Sequence, residues 1–210
     1  MITSKELNLY FKGSRAYVQG TNMLDAAMEV ITHAAHGKSI QNINFSINKM
    51  TAKNLVCDWW EKGGSVGVHE TPIATFFFDL GGVPYEGRLV ETGESVNARF
   101  PFDESLITRG CEFSLAEKMI KLVEAPLRIS SIEILVSMNK ALHYELYSIP
   151  SDSQWVFCRW ESAAWPLTHE MAGVRIIMEQ SLGTRLTRAR VELNEELIGR
   201  LYFSARQSGI

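Results

Sequence analysis

Apolar and polar positions follow two different rhythms along this chain. In GTNMLDAAMEVITHAAHG, residues 20–37, Met23, Leu24, Ala27, Met28, Ile31 and Ala34 recur at three- and four-residue spacing. Asn22, Asp25, Glu29 and His33 take the other side. The pattern predicts an amphipathic helix closed by Gly37, because glycine accepts the left-handed conformation in which helices commonly stop. A second helix is predicted over Phe113–Ala125, FSLAEKMIKLVEA, ended by Pro126. There Leu115, Ala116, Met119, Ile120, Leu122 and Val123 would face inward, with Ser114 and Glu117 as a capping pair.

Nearly everything else has the β-branched and aromatic content of strands. After the first helix come SIQNINFSINKM, AKNLVCDWW, PIATFFFDL and YEGRLVETGESVNARF. After the second come ISSIEILVSMN, ALHYELYSI, QWVFCRWESA, VRIIMEQ, TRLTRARVEL and ELIGRLYFSA. Thr187, Ala189 and Val191 alternate with Arg188 and Arg190 in the strand rhythm. Turn residues separate the runs at 62–64, 81–84, 150–153 and 181–183. The order is therefore short strand, helix, strands, helix, strands, which is one module used twice. Its boundary is placed at residues 104/105, giving modules 1–104 and 105–210. Pairing the two halves edge to edge would make a continuous sheet and hide two exposed edges.

Composition narrows the class without naming it. The 210 residues carry a formal charge of −3, with 46% hydrophobic and 21% charged residues, which argues against disorder. A near-neutral balance gives no reason to expect nucleic acid as a partner. No run of about 18 apolar residues suggests a membrane span, and MITSKELNLYFKG lacks an apolar signal core. Cys57, Cys111 and Cys158 cannot all pair and show no Cys-x-x-Cys spacing, so they read as reduced thiols of a cytoplasmic protein. Neither a resident metal nor a cofactor is expected. The phosphate loop, the Gly-x-Ser-x-Gly elbow and the His-Glu-x-x-His helix are all missing from the sequence.

One stretch carries a family likeness. Val18-Gln19-Gly20-Thr21-Asn22-Met23-Leu24-Asp25-Ala26-Ala27-Met28 resembles the start of the central helix in the beta-hydroxyacyl carrier-protein dehydratases of the hotdog superfamily. In that family an acidic residue follows the glycine by five positions, as Asp25 follows Gly20 here. The resemblance implies an α+β double hotdog: two long helices, each wrapped by an antiparallel sheet, with the halves joined in one sheet. It implies an acyl thioester, linked to coenzyme A or an acyl carrier protein, as substrate. The reaction would be thioester hydrolysis or 3-hydroxyacyl dehydration/hydration, and a second copy of the chain, as a homodimer, is a further candidate partner. Two departures matter. The proline before the glycine is Gln19, and the family's histidine, about nine residues earlier, falls on Tyr10 or Phe11, which cannot serve as its base. Aligning Leu24-Asp25 with Leu115-Ala116 would put alanine at the acidic position of the second half. A non-catalytic acyl-binding or assembly protein is therefore the rival expectation.

The physical case for the Gly20 end does not need the family. A helix amino terminus presents unpaired N–H groups and the positive end of its dipole. Glycine there would let a ligand approach closely. Such an end can polarise a thioester carbonyl, with Asp25 as acid/base one turn further on. Gly20, Thr21, Asn22, Tyr17 and Arg15 are the candidate substrate-binding residues. His143, read here as a strand residue, is the candidate partner for Asp25 across the halves. The row Asp25, Glu29, His33 reads as a solvated helix face before it reads as a metal site. His69 and His169 read as loop residues. Arg188 and Arg190 could meet the phosphates of a carrier arm, but they read first as a solvated sheet face.

Overall fold

The computed structural model describes residues 2–64, 71–126, 128–167 and 170–207. The chain divides into two units, Met1–Phe102 with Glu161–Pro166, and Asp103–Trp160 with Leu167–Ile210.

In the first unit the chain runs through β1 (Ile2–Glu6), β2 (Phe11–Lys12), α1 (Gly20–Ala34), β3 (Ile40–Ile47), β4 (Lys53–Glu61), β5 (Ala74–Leu80), β6 (Val83–Ser95) and β7 (Arg99–Phe100). α1 forms where the amphipathic pattern placed it. Met23, Leu24, Ala27, Met28 and Ile31 are all at most 1% exposed, and each large side chain so buried contributes about 1.5–3 kcal/mol. The helix ends at Ala34, and His36 and Gly37 then take left-handed backbone with φ of 49° and 83°. The five long strands pair antiparallel in the order β1-β4-β6-β5-β3. β5 and β6 are joined through Gly81 and Gly82, whose positive φ values of 57° and 84° make the two-residue turn that matches strand twist. Phe45, Phe76 and Phe78 form a ladder on the buried face. Phe76 lies over Gly87, where an added Cβ would sit 2.3 Å from the ring and 2.6 Å from the Asp58 carbonyl oxygen. β2 and β7 form a separate short parallel pair.

The second unit contains α2 (Ser105–Thr108), β8 (Cys111–Ser114), β9 (Met119–Leu122), α3 (Ser131–Leu146), β10 (Ser153–Trp165), β11 (Arg175–Ser181), β12 (Thr187–Leu193) and β13 (Glu196–Gln207). Residues 161–165 of β10 belong to the first unit. The strands follow the order β10-β13-β12-β11-β9-β8. Two expectations are corrected here. Phe113–Ala125 is not a helix but the β8–β9 hairpin, with Lys118 at φ 51° in its turn. Its burial has the strand period: Ile120 and Leu122 are fully buried, while Leu115 and Val123, expected inside, are about half exposed. The long helix of this unit is α3, built from the two runs read as strands. Ser130 caps it by accepting from the Glu133 backbone N–H at 3.2 Å, and Ile132, Leu135, Met138 and Leu142 form its apolar seam. The pairing of Ala116 with Asp25 falls with that correction, since Ala116 lies in a hairpin turn.

On the other face of the second sheet, Arg188 and Arg200 reach Glu179 at 2.9 and 3.4 Å. Arg190 and Arg175 reach Glu192 at 2.6 and 3.0 Å. Arg188 and Arg190 thus belong to a cross-strand charge ladder. No described helix is long and apolar enough to cross a membrane.

Candidate functional site

The residues described first lie at the amino end of α1, in the first unit. Gly20 is the first helical residue and Gln19 precedes it in extended backbone. Gln19 makes no side-chain cap to the helix. With its amide oxygen turned toward Arg15, it accepts from that guanidinium at 2.8 and 3.0 Å instead. Arg15, expected to bind substrate, therefore shapes the approach to the helix. Val18 is buried and its N–H donates to the Thr51 carbonyl at 2.9 Å, which anchors the same turn. Tyr17 stands half-buried beside it.

Thr21 and Asn22 are 4% and 3% exposed. Asn22 Oδ1 accepts from the Tyr10 N–H at 3.1 Å and so ties the segment before β2 to the first turn. Thr21 Oγ1 has no hydrogen-bond partner. A buried hydroxyl left so costs about 1–3 kcal/mol, which a ligand or a water that it met would recover. Asp25, half-buried, lies one turn beyond Thr21 on the same side of the helix. The combination is an uncapped positive helix end, a buried hydroxyl with unused capacity and a carboxylate one turn away. It can hold an oxygen that gains negative charge and move a proton beside it.

His143 was expected on a strand. It lies on α3 in the second unit, not on a strand, and is fully buried against Trp155 and Phe203. Its Nδ1 faces the Asn139 carbonyl oxygen at 2.6 Å, and its Nε2 meets the Thr187 hydroxyl. Because a carbonyl can only accept, Nδ1 carries the proton and the hydroxyl donates to Nε2. Burial pulls the imidazole pKa down to about 4, partly offset by the Asn139 carbonyl. Both ring nitrogens are engaged inside their own unit, and the ring is neutral at pH 7.

The remaining candidates disperse. Glu29, His33 and His36 line an outer groove of about 550 Å³ with Lys5, Glu6 and Asn8. Among the described residues, no three His, Cys, Asp or Glu side chains come together to hold a metal ion. His69 and His169 lie outside the described residues. The three thiols are free. Burial pushes Cys57 far up and Cys111 and Cys158 up to about 11, so none is a thiolate at neutral pH. Lys12, in the two-residue β2, is only 3% exposed, a burial that sequence reasoning missed. The one signal for it is the alternation of Tyr10 and Lys12 around Phe11, which puts both on one face of the extended segment.

No protein-family model and no curated protein matches the chain. Among solved structures it is similar to the dehydratase domain from the CurF module of the curacin polyketide synthase, at 8% identity and a TM-score of 0.48, over 99% of this chain and 93% of that one. It is also similar to a Lactobacillus plantarum protein described as an oleoyl thioesterase, at 11% identity and a TM-score of 0.47, over 100% and 98% of the two chains. A third is the tesB protein of Mycobacterium avium subs paratuberculosis, at 9% identity and a TM-score of 0.47, over 96% and 91%. Each unit has the hotdog arrangement. That statement rests on its own topology, one long helix packed on an antiparallel sheet, and agrees with the likeness read around Gly20. At these identities nothing about activity follows from the neighbours.

Proposed function

We propose that the chain is a double-hotdog enzyme that hydrolyses an acyl thioester linked to coenzyme A or an acyl carrier protein. The amino end of α1 would be its oxyanion site and Asp25 its general base. The observation that carries this reading is the buried, unpartnered Thr21 hydroxyl at a helix end without a side-chain cap. In the reaction, water attacks the acyl carbon while Asp25 takes one of its protons. The carbonyl π pair moves to oxygen, and the first-turn N–H groups and the Thr21 hydroxyl stabilise that charge. Collapse of the tetrahedral intermediate breaks the C–S bond. The leaving thiolate takes the proton back from Asp25, leaving a carboxylic acid and a thiol.

Hydrolysis is favoured over dehydration because the segment before α1 offers no imidazole. Tyr10 and Phe11 stand where the resembled family has its histidine. No chemistry is assigned to His143, whose two nitrogens are already committed.

The test is thiol release from a panel of acyl and 3-hydroxyacyl thioesters, with Asp25→Asn alongside. Loss of a general base lowers kcat by about 100- to 10,000-fold. Unchanged turnover in Asp25→Asn would remove that residue from the mechanism. If no thioester is cleaved while acyl ligands still stabilise the fold, the chain is instead the non-catalytic acyl-binding protein.

A further inference from the structure

The outer groove of the first unit has no part in the mechanism above. It encloses about 550 Å³ between β1 and the later turns of α1. Lys5, Glu6 and Asn8 line it from the strand side. Ala26, Val30 and Ala34, spaced one turn apart, give it an apolar bed on the helix, flanked by Glu29 and His33. Among the described residues, the side chains of Lys5, Glu6, Asn8, Glu29 and His33 make no hydrogen bond or ion pair.

The groove follows an open sheet edge. Neighbouring strand residues point to opposite faces, so a space that touches both Lys5 and Glu6 lies off the edge of β1. Among the described residues, β1 pairs with β4 alone. The Leu7 N–H donates to the Leu55 carbonyl at 2.9 Å, continuing the register that sets Lys5 opposite Cys57. Alternate residues of an antiparallel ladder face the partner strand, so Thr3, Lys5 and Leu7 turn their backbone toward β4. Ser4 and Glu6 turn their N–H and carbonyl groups to the open edge. Lys5 shares the core-facing side of the sheet with buried Cys57, and Glu6 takes the outer side with Val56. The groove offers backbone donors and acceptors, an apolar bed and two opposite charges on opposite faces. An added strand binds through such features.

The two charges decide what that strand is. Outward-facing residues must meet outward-facing residues, so β1 of a second copy pairs in registers centred on Ser4, Lys5 or Glu6. Centring on Lys5 sets Lys5 opposite its own copy, and centring on Glu6 does the same for Glu6. Like charges directly opposite destabilise a pair. Centring on Ser4 sets Lys5 opposite Thr3 and Glu6 opposite Ile2, which answers neither charge. An antiparallel strand with a basic residue directly before an acidic one answers both, the base opposite Glu6 and the acid opposite Lys5. We infer that the β1 edge and the α1 groove beside it are a docking site for an extended peptide of a partner protein, centred on such a basic-acidic pair. This docking site is separate from the thioester reading and holds whether or not a thioester is cleaved.

The test is equilibrium binding, by calorimetry and fluorescence anisotropy, of the capped peptide Thr-Val-Lys-Glu-Thr-Val to the full chain. In the intended register its valines fall opposite Leu7 and Thr3, on the same side of the sheet as Lys5. The swapped peptide Thr-Val-Glu-Lys-Thr-Val should bind about 5- to 30-fold more weakly. Methylating the peptide's Lys backbone nitrogen, which faces β1, should weaken binding at least about 10-fold. Methylating the adjacent Glu nitrogen, which faces away, should change it by less than about 3-fold. The double variant Lys5→Glu, Glu6→Lys alters two exposed side chains and should reverse the preference between the two peptides. Val30→Asp should weaken the first peptide by about 5- to 10-fold. No binding of that peptide by the wild type would overturn the inference. So would a preference that does not reverse in the double variant, equal effects of the two methylations, or undiminished binding in Val30→Asp. Sedimentation showing a dimer that excludes the peptide would overturn it too, and give the edge to a second copy.

Discussion

α1 and α3 are nearly equal in length, 15 and 16 residues, yet their amino ends are built in opposite ways. α3 begins with Ser130, whose hydroxyl accepts from the Glu133 N–H, and with Glu133 itself as an acidic residue in the first turn. α1 begins after Gln19, has no acidic residue in its first turn and no side-chain cap, and leaves the Thr21 hydroxyl unpartnered. Their inner faces differ in the opposite sense. α1 turns Met23, Leu24, Ala27, Met28 and Ile31 inward. α3 buries Asn139 and His143 among its aliphatic residues, with both Asn139 amide atoms unpartnered. A helix end whose donors and dipole are already answered by its own side chains has little left for a ligand. On the proposed function, this contrast makes α3's end scaffold and α1's end the place kept open.

The largest effect expected from this contrast is a pH dependence confined to the second unit. The unfolded chain protonates His143 near its ordinary value of 6.5, whereas the folded chain does so only near 4. The stability it confers is complete above about pH 6.5 and falls as pH drops toward 4, because the unfolded state then binds a proton that the folded state refuses. Between about pH 7 and pH 4.5 this amounts to about 2–3 kcal/mol. Urea denaturation of wild type and His143→Gln across that range should show the steeper loss in the wild type. Parallel curves would mean the ring is not held neutral.

Ser130→Ala should cost about 1 kcal/mol of stability, the usual worth of a cap, and leave thioester turnover unchanged. Its opposite number, Gln19→Ser, should supply the missing cap at α1. The cap, worth about 0.5–1 kcal/mol, is offset by loss of the Arg15 hydrogen bonds to Gln19, and thioester turnover should fall because the new hydroxyl answers N–H groups that the proposed function reserves for substrate. A Gln19→Ser variant with undiminished turnover would erase the distinction between the two ends.

How far the sequence revealed these ends depended on contrast between helix faces. α1 was legible because its polar residues Asp25, Glu29 and His33 fall opposite a continuous apolar stripe. α3 was not, because its buried arc is wide and mixes Ser137, Asn139 and His143 with Ile132, Leu135 and Leu142. Its isoleucines also have the composition of a strand. The signal that does mark it is Ser130 followed three residues later by Glu133. FSLAEKMIKLVEA misled in the other direction, since it is rich in helix formers. There pairing of β9 with β8 and β11 outweighs local propensity and selects the alternate residues Ile120 and Leu122 for burial. The places of Gly20, Thr21 and Asp25 on α1 were readable from spacing. Lys12 was not, because its burial depends on contacts of β2 with β7 and Phe102, which no local pattern records.

On the proposed function the α1 end stabilises an oxyanion, and Asp25 takes its proton from water and not from the acyl chain. The most direct measurement is mass spectrometry of the products formed from a 3-hydroxyacyl thioester by the wild-type chain. The predicted result is the free 3-hydroxy acid and the thiol in equal amounts. An α,β-unsaturated thioester with its thiol still attached would contradict it.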